Sequence, residues 1–146
     1  MKYASAVSDL IRQRSSCRSY GERAVEDKKR ARLNHFIDTL EKPFWGNRPR
    51  FMLVDMASPG TGRVPGTYGV IKGAGIFLVG AVEKGCRDME DFGYTFEQVI
   101  LKATDLGLAT CWMGLTFSRE VFAEKIRRAS NEIIPIVSPL GYPGTP

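Results

Sequence analysis

The chain of 146 residues has one histidine, His35, and three cysteines, Cys17, Cys86 and Cys111. One imidazole and scattered thiols do not make a zinc or iron ligand set, so no metal centre is expected. The cysteines are odd in number and lack CxxC spacing. That argues against a disulfide framework and predicts a reducing, cytoplasmic setting. No apolar run approaches the roughly 20 residues needed to cross a bilayer, so no membrane partner is expected. The opening segment MKYASAVSDLIRQR is broken by Asp9 and Arg12, and it reads as an amphipathic helix rather than a secretion signal. No serine has a credible base, which leaves a hydrolase triad without support. Gly60-Thr61-Gly62 is not a dinucleotide fingerprint, because Pro59 and Pro65 flank it and no helical pattern follows directly. Internal repeats and low-complexity tracts are also missing.

What remains is an ordinary globular composition, long enough for one domain with its own core. The net charge of +5 is unevenly spread. Residues 1–50 carry twelve Lys and Arg against six Asp and Glu, so an anionic partner is worth considering. A phosphate-bearing cofactor is one candidate and nucleic acid another. A solvated helix face explains part of the excess, notably Asp27-Lys28-Lys29-Arg30-Ala31-Arg32. No recognition helix or set of stacking aromatics is visible, which ranks nucleic acid lowest. His35 falls in a helical pattern and reads as a helix-surface residue.

Periodicity predicts the elements. Val7, Leu10 and Ile11 form one helical stripe that runs out near Arg14. Leu33, Phe36, Ile37 and Leu40 form a second, closed by Pro43. Phe51 to Met56 and Gly75 to Val82 read as strands, separated by a Gly- and Pro-rich loop over 58–69. Asp88, Glu90 and Asp91 read as a solvated acidic turn and helix start. A helix near 94–106 carries apolar residues at 96, 99, 100, 103 and 106, and Gly107 stands where its left-handed cap belongs. Ser118 is a candidate N-cap for a helix through about Arg128. Ile133 to Val137 is apolar but contains Pro135, so it reads as an edge strand or irregular. The pattern predicts an α+β fold: a small mixed sheet covered by helices.

Two segments could carry chemistry. Arg12, Arg14 and Arg18 cluster with Ser15 and Ser16 where the first helix ends. Guanidinium forks and hydroxyls suit phosphate oxygens, although arginines at a helix C-terminus also simply complement its dipole. Lys72 precedes the strand at 75–82, where it could meet a phosphate or an anionic ring, or only solvent. Gly107 to Phe117 places small residues beside Trp112, which would let backbone N–H groups approach a flat ligand. Cys17 and Cys111 could be reactive, but no local base marks either.

Taken together, these segments resemble FMN-dependent nitroreductases. Arg-Ser-Ser-Cys-Arg-Ser-Tyr at 14–20 is similar to the Arg-x-Ser-x-Arg-x-aromatic signature of that superfamily. Residues 67–74 and 107–114 are similar to its two-lobed members, and the likeness runs from about residue 8 to the Pro-Leu-Gly-Tyr-Pro at 139–143. The resemblance implies that Arg14, Ser15, Ser16 and Arg18 hold the FMN phosphate and ribityl chain. It places Lys72 along the ribityl and pyrimidine side and Trp112 in the pocket. Met113, Gly114 and Leu115 would bring N–H groups to the flavin edge. Two-electron transfer from NAD(P)H through FMN to a nitroaromatic or quinone-type acceptor is the implied activity, which explains why no acid–base pair is visible.

Two departures stand out against the family pattern. Leu115 replaces a usual second glycine. The segment Pro43-Phe44-Trp45-Gly46-Asn47 is only a loose echo of a Pro-Ser-Ala-x-Asn-Lys-Gln-Pro-Trp stretch expected from a second lobe. Residues 1–146 therefore read as a first lobe that pairs as a homodimer or with a second lobe, because a lone lobe would expose an apolar interface. The alternative is a non-catalytic or truncated lobe that acts as an interaction module.

Overall fold

The first helical stripe folds as α1 (Val7–Gln13) and the second as α2 (Asp27–Asp38). These come from a computed structural model that describes residues 2–145. The strands expected at 51–56 and 75–82 are β1 (Arg50–Asp55) and β2 (Ile76–Glu83). The central helix α3 (Asp88–Asp105) begins one and a half turns earlier than its apolar periodicity suggests, with Gly93 inside it. A short β3 (Ala109–Thr110), α4 (Arg119–Ile126), β4 (Glu132–Ile133) and β5 (Val137–Gly141) follow.

The strands form a five-stranded sheet in the order β1-β2-β5-β3, with β4 pairing the end of β2. All pairings between these strands are antiparallel. The parallel component comes from two isolated bridges, Ser16 to Thr110 and Ser19 to Lys72. β2 is buried along almost its full length, so it shows no alternation of apolar and polar residues. Ile76, Leu78 and Val82 face α2 and α3, in a core with Leu33, Phe36, Phe92, Phe96 and Ile100. Phe77, Val79 and Ala81 face the opposite core, with Phe117, Phe122, Ile126 and Ile134. Each fully buried Phe or Leu contributes about 1.5–3 kcal/mol. The break at Gly80 is steric, because a Cβ there would lie 2.5 Å from Phe51 and 2.8 Å from Phe92.

One sequence expectation needs correction. Asp91 is not solvated: it is 1% exposed and accepts N–H bonds from Trp45 (3.1 Å) and Asn47 (2.8 Å), plus one from the Asn47 amide (3.0 Å). Burial works against its ionisation, yet these donors hold its pKa below the ordinary value. Asp91 thereby pins the 45–47 loop to α3. The stretch around Pro135 is irregular as expected, with Ile133 ending the short β4 and no strand over 134–136, whereas the strand that follows was not foreseen. β5 lies between β2 and β3 and contains Pro139 opposite Phe77. Val137 N–H points to Met113 O, so Pro139, two residues on, turns its missing N–H to the same side. There the ladder is interrupted, and Cys111 N–H instead donates to the Ser138 hydroxyl at 3.0 Å. A proline is thus accommodated inside the sheet at the cost of one regular pairing.

Gly107 caps α3 as expected, with φ +81°. Its N–H donates to Thr104 O and the Leu108 N–H to Ala103 O, both at 2.9 Å, which is the Schellman arrangement. Ser118 caps α4 through Val121 N–H. Among the described residues no helix is long and apolar enough to cross a membrane.

Candidate functional site

α1 stops at Gln13 because Arg14 is extended (φ −64°, ψ 130°). From there the chain runs as a hook paired at both ends. Ser16 bridges Thr110, and Cys17 N–H donates to Thr110 O at 2.9 Å. Ser19 bridges Lys72; Lys72 N–H donates to Arg18 O (2.9 Å) and Tyr20 N–H to Lys72 O (2.8 Å). Three stretches far apart in sequence therefore share one ribbon. Gly73 permits this: its φ is +81°, and a Cβ on it would run into Tyr20 O.

Arg14 is half-buried, and its Nη1 is buried with no hydrogen-bond partner among the described residues. The same holds for Thr110 Oγ1. Both residues line a cavity of about 210 Å³ together with Ser15, Cys17, Gly107 and Pro143. A buried guanidinium nitrogen and a hydroxyl without partners are costly, and an anionic oxygen in the cavity is the kind of group that satisfies both. Ser15, Ser16, Arg18 and Lys72 are exposed beside it.

Glu97, on α3, stands between the hook and the tryptophan turn. Burial raises its pKa, while the Arg14 cation and the Trp112 indole pull it back down. Trp112 is 37% exposed and meets Phe96 edge-on, with centroids 4.9 Å apart and planes at 85°. Met113 corrects a sequence expectation. It is 2% exposed, its N–H donates to Val137 O at 2.9 Å, and its carbonyl accepts from Val137 N–H at 3.1 Å. That N–H belongs to the sheet and cannot reach a ligand; Met113 instead anchors the turn. The Gly114 and Leu115 N–H groups have no hydrogen-bond partner among the described residues. Arg119 holds the far side of the turn, donating to Gly114 O (2.8 Å), Ile134 O (3.2 Å) and Pro135 O (3.2 Å) and lying over the Phe117 ring. The Leu115 side chain is 88% exposed and points to solvent.

The structure thus brings Arg14, Ser15, Ser16, Arg18 and Lys72 onto one ribbon, and Arg14 and Trp112 both act on the Glu97 carboxyl. Thr110, Glu97 and Arg119 were missed by sequence reasoning. Thr110 and Glu97 had no local signal; Arg119 sat unremarked at the first position of a helix. The basic first third is less available to a partner than its count suggests. Arg12 pairs with Asp9, Arg23 with Glu26, Arg30 with Asp55 and Arg50 with Glu132.

A family model described as "Putative TM nitroreductase" matches residues 6–146. The chain belongs to this nitroreductase family. No curated protein matches it. Among solved structures it is similar to an FMN-dependent nitroreductase from Clostridium difficile R20291, at 21% identity and a TM-score of 0.73, covering 94% of this chain and 87% of that one. It is similar to a nitroreductase from Desulfovibrio desulfuricans solved in complex with FMN, at 20% identity and a TM-score of 0.69, covering 97% and 88%. A third likeness is to a variant of an FMN- and NADPH-dependent nitroreductase from Sphingopyxis sp. strain HMH, at 13% identity and a TM-score of 0.70, covering 95% and 88%. At these identities the structures establish a shared nitroreductase fold, with an antiparallel sheet between helical layers.

Proposed function

We propose that the chain binds FMN along the hook and works as a nitroreductase-type flavin oxidoreductase. The observation that carries this reading is the cavity where buried Arg14 Nη1 and Thr110 Oγ1 lack partners, in a chain of this family. The donor set fits the cofactor. Arg14 and Arg18 match phosphate oxygens, and the Ser15 and Ser16 hydroxyls and the Lys72 ammonium serve the phosphate and the polyol chain. Trp112 walls the ring side, and the free N–H groups of Gly114 and Leu115 are the donors for the ring edge. Met113 and Arg119 hold that turn still. FMN, when bound, supplies two-electron chemistry between NAD(P)H and a nitroaromatic or quinone-type acceptor. The chain's part is position and electrostatics. That the solved relatives include FMN-dependent, FMN-bound and NADPH-dependent enzymes supports the reading.

In this reading residues 1–146 are one lobe, and a second copy or a second lobe covers Phe44, Trp45, Tyr94 and Leu115, which are exposed. Titration with FMN is expected to quench flavin fluorescence saturably. Arg14→Ala is expected to weaken binding about 10- to 100-fold, the loss of a charged hydrogen bond worth about 1.5–3 kcal/mol. No binding at saturating FMN would end the proposal. The same exposed aromatics favour the second reading, an interaction module. Oxidation of NADH or NADPH with a quinone, with FMN present, separates the two: a chain that binds FMN but consumes neither nucleotide is a module.

A further inference from the structure

The cysteines show no pairing in the sequence, yet the fold sets two of them side by side. The isolated Ser16–Thr110 parallel bridge brings the two stretches together, and the residues that follow its two ends are Cys17 and Cys111. The backbones are held there by Cys17 N–H on Thr110 O (2.9 Å) and by Cys111 N–H on the Ser138 hydroxyl (3.0 Å). Both side chains belong to the core around Tyr20, Cys111 within it and Cys17 packed against it. The Tyr20 hydroxyl is buried without a hydrogen-bond partner among the described residues. Burial above all raises its pKa, and the Cys17 and Cys111 thiols add to that rise. Paired strands lie about 4.8 Å apart. A disulfide spans Cα atoms about 4.4–6.8 Å apart, so the spacing suits one.

We propose that Cys17 and Cys111 are a redox-active dithiol that closes to an intramolecular disulfide when a hydroperoxide oxidises the chain. The two sulfurs differ in access. Cys17 is half-buried and lines the 210 Å³ cavity, whereas Cys111 is 2% exposed. Cys17 therefore reacts first. Its thiolate attacks a peroxide oxygen, the O–O bond breaks, and the departing oxygen takes a proton to leave as an alcohol, or as water from hydrogen peroxide. The Cys17 sulfenic acid is then attacked by the Cys111 sulfur. The S–S bond forms, the S–O bond breaks, and hydroxide leaves with the Cys111 proton as water. In sum two thiols lose two electrons and two protons, and one hydroperoxide is reduced. The product ties the hook covalently to the tryptophan turn, and a thiol reductant restores the open form.

The test needs no cofactor. The reduced full chain is treated with equimolar hydrogen peroxide, denatured, alkylated and digested with trypsin. Cys17 falls in the peptide 15–18, Cys111 in 103–119 and Cys86 in 85–87, so each thiol is read separately. The expected result is a 15–18 peptide linked to 103–119, in a chain whose denatured mass stays that of one copy and which reverts with dithiothreitol. Cys86, exposed on another turn, is expected to remain alkylated. A second measurement on the reduced chain uses phenylarsine oxide, which bridges neighbouring thiols. It is expected to protect Cys17 and Cys111 together from alkylation at one equivalent. Three results would overturn the proposal: both thiols alkylated after oxidation, Cys17 carried to sulfinic acid without linkage, or cross-links running only through Cys86. A chain that links but never binds FMN would sink the functional reading and leave this one; the converse holds equally.

Discussion

Glu26, at the start of α2, is held by Tyr142 and Arg23. The Tyr142 hydroxyl donates to its carboxylate at 2.6 Å, and Lys29 donates to the same hydroxyl at 2.7 Å. Arg23 pairs with Glu26 and lies over the Tyr142 ring, 3.9 Å from its centroid. The Tyr142 hydrogen bond first, then the backbone and Arg23, lower the Glu26 pKa from 4.5 to about 2. A carboxylate lowered on folding stabilises the fold fully above its unfolded pKa and loses that contribution as pH falls through the folded one. Glu26→Gln is therefore expected to melt below the parent chain near neutral pH, with the difference closing between pH 4.5 and about 2. Thermal unfolding across that window checks it, and a constant difference down to pH 2 would refute the linkage. At this scale the sequence was half legible. The arginines and serines of 14–18 stood out as a phosphate-suited cluster, but only the resemblance favoured phosphate over a helix dipole. Glu97 and Thr110 carry no local mark, because their roles come from what packs against them. The Met113 N–H was misassigned because its partner, Val137, lies across the sheet.

Among the elements, the junction at Gly73 links the sheet to the site. A left-handed backbone imposes about 1–3 kcal/mol of strain on a residue with a side chain. At Gly73 a Cβ also meets Tyr20 O, whereas at Gly62, with φ +89°, it meets nothing within 4 Å. Gly73→Ala is expected to destabilise the chain by about 1–3 kcal/mol more than Gly62→Ala, a collision added to similar strain. Equal losses in denaturant unfolding would remove Gly73 as the point that fixes the hook. α2, α3 and α4 were readable because each has an apolar stripe and a chemical boundary: Pro43 after α2, the Gly107 cap on α3, Ser118 before α4. β5 was not readable, since Pro135 and Pro139 both speak against an interior strand. The exception rests on a proline turned toward an interrupted ladder and a serine hydroxyl standing in for a carbonyl, neither visible without the neighbouring strand. The acidic start of α3 was legible at Asp88, but the burial of Asp91 was not, because Asp91 looks like a surface residue until Trp45 and Asn47 close over it.

For the molecule as a whole, Phe44 and Leu115 are each 88% exposed, Tyr94 68% and Trp45 51%, more large apolar surface than a solitary domain needs to show. Light scattering behind size exclusion is expected to give a dimer at micromolar concentration, shifted toward monomer by Phe44→Ser combined with Leu115→Ser. A clean monomer for the unaltered chain would remove the pairing from the proposed function.

The hook makes almost no bonds with its own neighbours in sequence. Its partners are Lys72, Thr110, Tyr142 and Gly144, which come from the middle and the end of the chain. Its order therefore depends on segments from the middle and the end of the chain, as a keystone depends on both sides of its arch. Occupying it rewards only the finished architecture, so a ligand gripped there raises the melting temperature of the entire chain rather than stiffening one loop.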